Sequence, residues 1–377
     1  MPPIKVGIIG YGSSAKVFHL PYILPNPDLE VHAFLQRAEA PTDKSNVDPG
    51  KHCTIDHPLV KHYRTPKDFF ADQAIDLVVV CTAHDTHAHF AELALLSGKH
   101  VIVEKPFTIT SSSASHLISL SHHHGKILTC FQNRRYDSDY LTLRSLLAQN
   151  LFGRITSFTN TYDVDDPPWI HSNQIPHSAK PGDGLLYGLG SHSIDQTLQI
   201  FGRPKSVTAV KRCLVTESGA DDAFWVVLQY GAEREGLVVE VKTTAVAPVG
   251  VERMVKFEVR GTEGSYFKTG EDPQISHHFS GLQADDAKFG VEPESYHGYL
   301  STIHDFNGRP PTHDSTKRFE GCVPSLKGSY MDYYRDVVSA IRGEKELVVK
   351  PEEARDVIRC IELANESAEK GVTVAWS

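Results

Sequence analysis

Ile4 to Ile9 is an apolar, β-branched run that opens directly into Gly10-Tyr11-Gly12-Ser13-Ser14-Ala15, and this junction restricts the fold more than any other stretch. The run reads as a strand and Lys16 to Leu20 can continue as a helix, so the glycines stand in a strand-turn-helix unit. In such a unit the first glycine permits a tight turn, the second lets a pyrophosphate approach the backbone, and a small third residue lets the helix pack on the strand. Gly10, Gly12 and Ala15 match those roles. A glycine turn alone is weak evidence, and its weight comes from the elements downstream of it.

Those elements alternate. Strands are expected at Leu29 to Gln36, Ile75 to Cys81 and His100 to Val103, with a helix over Thr86 to Leu96 stopped by Gly98. Another helix over Ser111 to His123 closes at Gly125, and Lys126 to Phe131 reads as a further strand. Alternation of this kind implies a doubly wound parallel sheet, and the unbroken apolar run Leu77 to Cys81 suits a strand covered on both faces.

From Ile155 the pattern changes to half-buried antiparallel strands, over Ser206 to Arg212, Phe224 to Tyr230, Leu237 to Val246 and Val255 to Arg260. A helix over Ser191 to Phe201 precedes them, and two amphipathic helices, Tyr330 to Ile341 and Pro351 to Lys370, end the chain. The expectation is an α/β protein of two domains. Residues 1–130 form a Rossmann domain, and 131–377 form an α+β domain with an open, mostly antiparallel sheet that includes the closing helices. Asp272 to Lys327 is polar, rich in Gly, Pro and His, and has no clear pattern.

The formal charge of −9 without a block of like charges excludes nucleic acid and acidic membranes as partners, which need a clustered basic surface. No apolar run is long enough to span a bilayer, and the first residues lead straight into a strand, so a cytoplasmic protein is expected. Six scattered cysteines without a CxxC pair read as reduced thiols. The partner is then a small molecule.

A site that prefers NAD carries Asp or Glu at the end of the second strand, to bind the adenosine ribose. Here that end reads Phe34-Leu35-Gln36-Arg37, while Glu30 starts the strand. An arginine without a carboxylate suits a 2′-phosphate, so NADP(H) is expected over NAD(H); an exposed arginine in a turn is the plainer alternative. Lys105, in Glu104-Lys105-Pro106, follows the fourth expected strand at the sheet edge where such folds bind ligands.

Taken with Thr82-Ala83-His84-Asp85-Thr86-His87 and Leu189-Gly190-Ser191-His192-Ser193-Ile194-Asp195, these segments resemble the glucose-fructose oxidoreductase, inositol dehydrogenase and MocA (Gfo/Idh/MocA) family. Phe18-His19-Leu20-Pro21, Gln132-Asn133-Arg134-Arg135-Tyr136-Asp137-Ser138-Asp139, Gly264-Ser265-Tyr266 and Ile361-Glu362-Leu363-Ala364 are similar to the branch of NADP-dependent scyllo-inositol dehydrogenase-like oxidoreductases. The resemblance implies reversible oxidation of a hydroxyl carbon on a sugar, sugar derivative or cyclitol. It also implies a homodimer or homotetramer through the second domain's sheet. It puts Gly10, Gly12, Ser13, Ser14, Ala15, Gln36, Arg37, Thr82, His84, His87, Glu104, Lys105, Asn133 and Arg134 at the cofactor.

Removing hydride from a carbinol leaves carbonyl character, so the hydroxyl proton needs a base and the oxygen a positive neighbour. The resemblance gives Lys105 the charge and His192 the proton, with Trp169 and Tyr187 beside the substrate. The family's histidine ends an Asp-x-x-x-His motif on the first helix of the second domain, and here the aspartate position is Gly188. Asp195 either orients His192 or pairs elsewhere in the core; Trp169 either walls the pocket or packs. No metal is expected: His122-His123-His124 ends a helix, and His84, His87 and His89 fall on the loop the family sets along the cofactor. A cofactor-binding regulator without turnover, similar to the yeast galactose-pathway repressor, is the rival reading that Gly188 favours and that intact Lys105 and His192 oppose.

Overall fold

The computed structural model describes residues 1–171, 178–234, 236–306, 308, 310–312 and 315–376. The chain divides into two compact units, the first made of Met1–Asn133, Gln274–Phe289 and Ser329–Arg355. Arg134–Pro273, Gly290–Gly328 and the residues from Asp356 onward make the second.

In the first unit six strands, β1 (Ile4–Ile9), β2 (Leu29–Leu35), β3 (Lys61–Tyr63), β4 (Leu77–Val80), β5 (His100–Val103) and β6 (Leu128–Cys130), pair in parallel in the order β3-β2-β1-β4-β5-β6. The order reverses between β1 and β4, and such a switch opens a crevice at the carboxyl ends of the strands. Helices α1 (Leu20–Ile23), α2 (Cys53–Asp56), α3 (Pro66–Ala71), α4 (His87–Leu96) and α5 (Ser111–His124) connect them. Val78, Val79 and Val80 are fully buried, as strands covered on both faces require. Gly125 caps α5 at φ 59°, where glycine carries no Cβ penalty. The sequence reading passes over β3 and α3, although Thr65 accepts the Asp68 amide and Pro66 starts the helix, both ordinary start signals.

The second unit carries nine strands: β7 (Ile155–Thr161), β8 (Ser206–Arg212), β9 (Ala223–Gln229), β10 (Val238–Thr244), β11 (Val255–Gly261), β12 (Gly264–Thr269), β13 (Gly298–Thr302), β14 (Phe319–Val323) and β15 (Val374–Ala375). Their order is β14-β13-β12-β11-β7-β10-β9-β8-β15, antiparallel except where β10 lies parallel to β7. Helices α6 (Ser138–Ala148), α7 (Leu185–Gly188) and α8 (Gly190–Phe201) belong here, and α8 packs on β7 and β10. Val226, Val241, Phe257 and Val259 are buried on one face, whereas Val210, Trp225, Phe267 and Tyr299 on the other stay about 40 % exposed. The stretch from Asp272 to Lys327 supplies α9 (Gln274–Phe279), β13 and β14, so it is not without regular structure. Two further differences concern helices: α6 precedes the helix of His192 and is therefore the unit's first, and α10 (Tyr330–Ile341) folds with the first unit. The first unit also takes the start of α11 (Pro351–Lys370), whose remainder belongs to the second. Among the described residues no helix is long and apolar enough to cross a membrane.

Candidate functional site

The glycine turn is built by exclusion. Gly10 has φ 96°, and a Cβ there would lie 2.5 Å from the Cys81 carbonyl oxygen, so only glycine fits. Gly12 differs: a Cβ would meet nothing within 4 Å, which leaves its backbone open to a ligand. Ala15 is fully buried and starts a wide π-type turn, Ala15–His19, before α1. Ser13 is exposed beside them.

Behind the turn lies a buried polar network. The Ser14 hydroxyl donates to Glu104 Oε1 at 2.5 Å, His19 Nε2 lies 3.1 Å from the same oxygen, and the Lys105 amide donates to Glu104 Oε2 at 2.7 Å. His19 Nδ1 meets the Tyr334 hydroxyl of α10 at 2.5 Å. Burial pushes the Glu104 carboxyl up, but the His19 hydrogen bond and charge, the Lys105 charge and the Ser14 hydroxyl hold it down to about 2. An ionised Glu104 thus ties the glycine turn to the segment carrying Lys105. The sequence reading named Glu104 and Ser14 but missed His19 and Tyr334 as their partners.

At the adenosine end expected for a dinucleotide, Gln36 follows β2 and is gripped by its surroundings. Its Oε1 accepts the Cys53 amide at 3.0 Å, and its carbonyl accepts from His62 Nε2 at 2.9 Å. Arg37 is exposed, and Arg64 Nε donates to its carbonyl at 3.3 Å while Arg64 pairs with Glu39 at 2.7 Å. Arg64 is a second cation at this edge that the sequence reading overlooked; its position directly after β3 is the signal.

His87 is held between two backbone carbonyls. It is fully buried, with Nδ1 2.8 Å from the Pro106 carbonyl and Nε2 3.1 Å from the Thr82 carbonyl. Burial lowers its pKa, so one nitrogen donates and the ring braces two loops. Thr82 accepts the Thr86 hydroxyl at 2.7 Å, and His84 lies with its ring 5.7 Å from that of His87. Asn133 is buried at the end of the first unit.

In the second unit Arg134 is spent locally. It donates to Asp137 at 3.1 Å, to Glu271 at 3.2 Å and to the Tyr162 hydroxyl, and its guanidinium lies over the Tyr162 ring. Those bonds fix the guanidinium within the second unit. Arg135 holds Asp195 through two hydrogen bonds of 2.7 and 2.6 Å, so Asp195 pairs in the core.

His192 is buried on α8, and Tyr187 is buried on α7. Burial, with the Glu362 and Asp221 charges, pushes the Tyr187 hydroxyl up to about 12. Gly188 closes α7, and Leu189 stands between it and α8, where the His192 amide donates to the Leu189 carbonyl at 3.0 Å. Leu189 keeps right-handed helical dihedrals, φ −99° and ψ −35°, so a tightened turn joins the helix of Gly188 to that of His192. A Cβ at Gly188 meets nothing within 4 Å. Asp221 sits at the start of α7, accepting the Leu186 amide at 2.8 Å. Trp169 lies in a short turn and is 51 % exposed, so it is not a core residue.

Residues 4–132 match the oxidoreductase family's NAD-binding Rossmann fold, and residues 144–376 match its C-terminal α/β domain. An oxidoreductase of Escherichia coli is 33 % identical over 371 residues, covering 98 % of both chains. A scyllo-inositol 2-dehydrogenase (NADP(+)) of Bacillus subtilis is 32 % identical, covering 98 % of this chain and 95 % of its own. Among solved structures, an oxidoreductase of Yersinia pestis superposes with a TM-score of 0.84 at 33 % identity, covering 100 % of this chain and 97 % of that one.

Proposed function

Since this chain belongs to the Gfo/Idh/MocA oxidoreductases, enzymes that act on alcohol groups, we propose that it moves a hydride between NADP(H) and a carbon of a sugar, sugar derivative or cyclitol that alternates between hydroxyl and carbonyl. The observation that carries this reading is the carboxyl edge of the six-stranded sheet, where the glycine turn, Gln36-Arg37 and Glu104-Lys105 follow β1, β2 and β5. The open space at Gly12 fits a pyrophosphate, held by the turn from Gly10 to Ala15. Arg37, with Arg64 behind it and no carboxylate at the strand end, favours a 2′-phosphate. Thr82, His84 and Asn133 line the nicotinamide side.

A dinucleotide held by the turn from Gly10 to Ala15 and by Arg37 would supply the hydride chemistry. The protein's own work is charge and proton handling. Lys105 offsets negative charge as it grows on the reacting oxygen, and His192 takes the hydroxyl proton or gives it back. Trp169 and Tyr187 bound the substrate. We read the open face of the nine-stranded sheet, with Trp225, Phe267 and Tyr299, as the contact between copies in a dimer or tetramer. Six free cysteines accord with a reducing cytoplasm.

A spectrophotometric screen of sugars and cyclitols with NADP+ and NAD+, run in both directions, tests the proposal. Turnover of at least one polyol, faster per unit concentration with NADP+, is expected. Equal efficiency with the two cofactors overturns the preference, and NADP(H) binding without any turnover supports the regulator instead.

A further inference from the structure

His52 and Cys53, at the start of α2, and His62, in the middle of β3, bring one ligand atom each within 4.8 Å of one another. His52 and Cys53 are buried, and His62 is half-buried. Two imidazoles and a thiol are the borderline-soft donor set that zinc takes, whereas calcium and magnesium want oxygen.

The surroundings set the His62 ring as a metal site needs and leave His52 a choice of tautomer. Ligating histidines usually donate their other ring N–H to a carbonyl or hydroxyl, which sets the tautomer. His62 Nε2 donates to the Gln36 carbonyl at 2.9 Å, leaving Nδ1 with its lone pair. His52 Nδ1 lies 2.9 Å from the Thr54 hydroxyl; with Nδ1 protonated and donating there, Nε2 presents a lone pair in place of its long 3.4 Å contact with the Ala38 carbonyl. In that tautomer the bond Nδ1 accepts from the Thr54 amide at 3.2 Å is given up.

We propose that His52, Cys53 and His62 form a zinc site with an open fourth position for water or an external ligand. Binding deprotonates the Cys53 thiol, forms a sulfur–zinc bond and releases the proton to solvent. The site adjoins Gln36 on two sides, because Cys53 donates its amide to the Gln36 side chain and His62 holds the Gln36 carbonyl. A bound ion therefore braces the segment that presents Arg37.

The test is a Co2+ titration of the full chain after chelator treatment, read by absorption. One equivalent per chain, with a thiolate-to-cobalt charge-transfer band that Zn2+ bleaches, is expected. Cys53→Ser loses the band, and Thr54→Val, which removes the oxygen that orients His52, weakens binding about 10- to 100-fold. Circular dichroism of both variants confirms that they fold. Absence of the band in the parent protein overturns the proposal. So does a band that survives in Cys53→Ser, which belongs to the exposed thiols Cys213 or Cys322.

Discussion

The two sheets solve burial in opposite ways. In the parallel sheet, β4 and β5 are apolar almost throughout, with Val78 to Val80 and Val101 to Val103 all fully buried. The helix-facing side of the mixed sheet instead buries Lys256, Lys268, Asn160 and Thr243, and Asp137, Asp139 and Glu292 are buried with them in the same unit. A strand covered on both faces has no room for charge, so polar chemistry in the first unit can appear only where strands end. The second unit keeps its ions inside and must satisfy them there.

The largest effect is expected at a strand end. Lys105→Met should lower turnover about 100- to 1,000-fold while leaving NADP(H) affinity within a few-fold, because its charge matters chiefly where negative charge develops. Steady-state rates beside a fluorescence titration of NADPH decide it, and unchanged turnover would make the lysine structural.

Two lysines of the buried set sharpen the contrast. Lys268 pairs with Glu292 at 2.9 Å, both fully shielded, so Lys268→Met strands a buried carboxylate and should cost about 3–5 kcal/mol in denaturant unfolding. Lys256 has its ammonium buried without a hydrogen bond, 4.6 Å from the Tyr162 ring centre, and burial lowers its pKa. Lys256→Met removes a charge that favours the buried Asp139 and Asp137 carboxylates but breaks no hydrogen bond, so it should cost less than Lys268→Met, about 1–3 kcal/mol. A loss in Lys256→Met as large as that in Lys268→Met would break the distinction.

Arg37→Ala should weaken NADP+ binding about 10- to 100-fold and leave NAD+ binding unchanged, the worth of one or two charge-assisted hydrogen bonds. Calorimetric titration with both cofactors measures it.

Glu104 links stability to pH. Its carboxyl is held at about 2 against an ordinary 4.5, so its contribution is complete above the ordinary value and is lost as pH falls towards about 2. Glu104→Gln should be less stable than the parent at neutral pH, and the gap should narrow through that acid window. A gap that stays constant would show that the Ser14, His19 and Lys105 contacts do not depend on its charge.

The smallest effect is expected at Gly188. An aspartate side chain there meets open space, so Gly188→Asp should change stability by only about 0.5 kcal/mol. A new carboxylate near His192 should also move the pH optimum upward, since it favours the imidazolium. Coincident pH-rate profiles would mean that the tightened turn at Leu189 points residue 188 away from the histidine.

Legibility in the sequence tracked the range of the interactions. The strand-turn-helix at Gly10, the apolar β4, the cap at Gly125 and the alternating strands of the second sheet all rest on neighbours within a turn or a pleat. Those patterns alone established a Rossmann unit followed by an open, mostly antiparallel sheet. Helix α6 escaped notice because its exposed and buried residues do not separate cleanly along the chain, since Ser138, Asp139 and Thr142 are buried among the apolar positions. The glycines, Gln36-Arg37 and Lys105 are candidates by type and by place after a strand.

Only the tertiary structure decided what each polar residue touches. His19 reaches Glu104 across 85 positions, and Arg135 takes Asp195 across 60 into a core ion pair. His87 met the Pro106 carbonyl, Arg134 met Asp137, and His52 and Cys53 met His62. Periodicity tells a residue which face it occupies, because that depends on backbone geometry shared with its neighbours. The group waiting on that face comes from distant chain, and side-chain hydrogen bonds and ion pairs act over only a few ångströms, so packing alone chooses the partner.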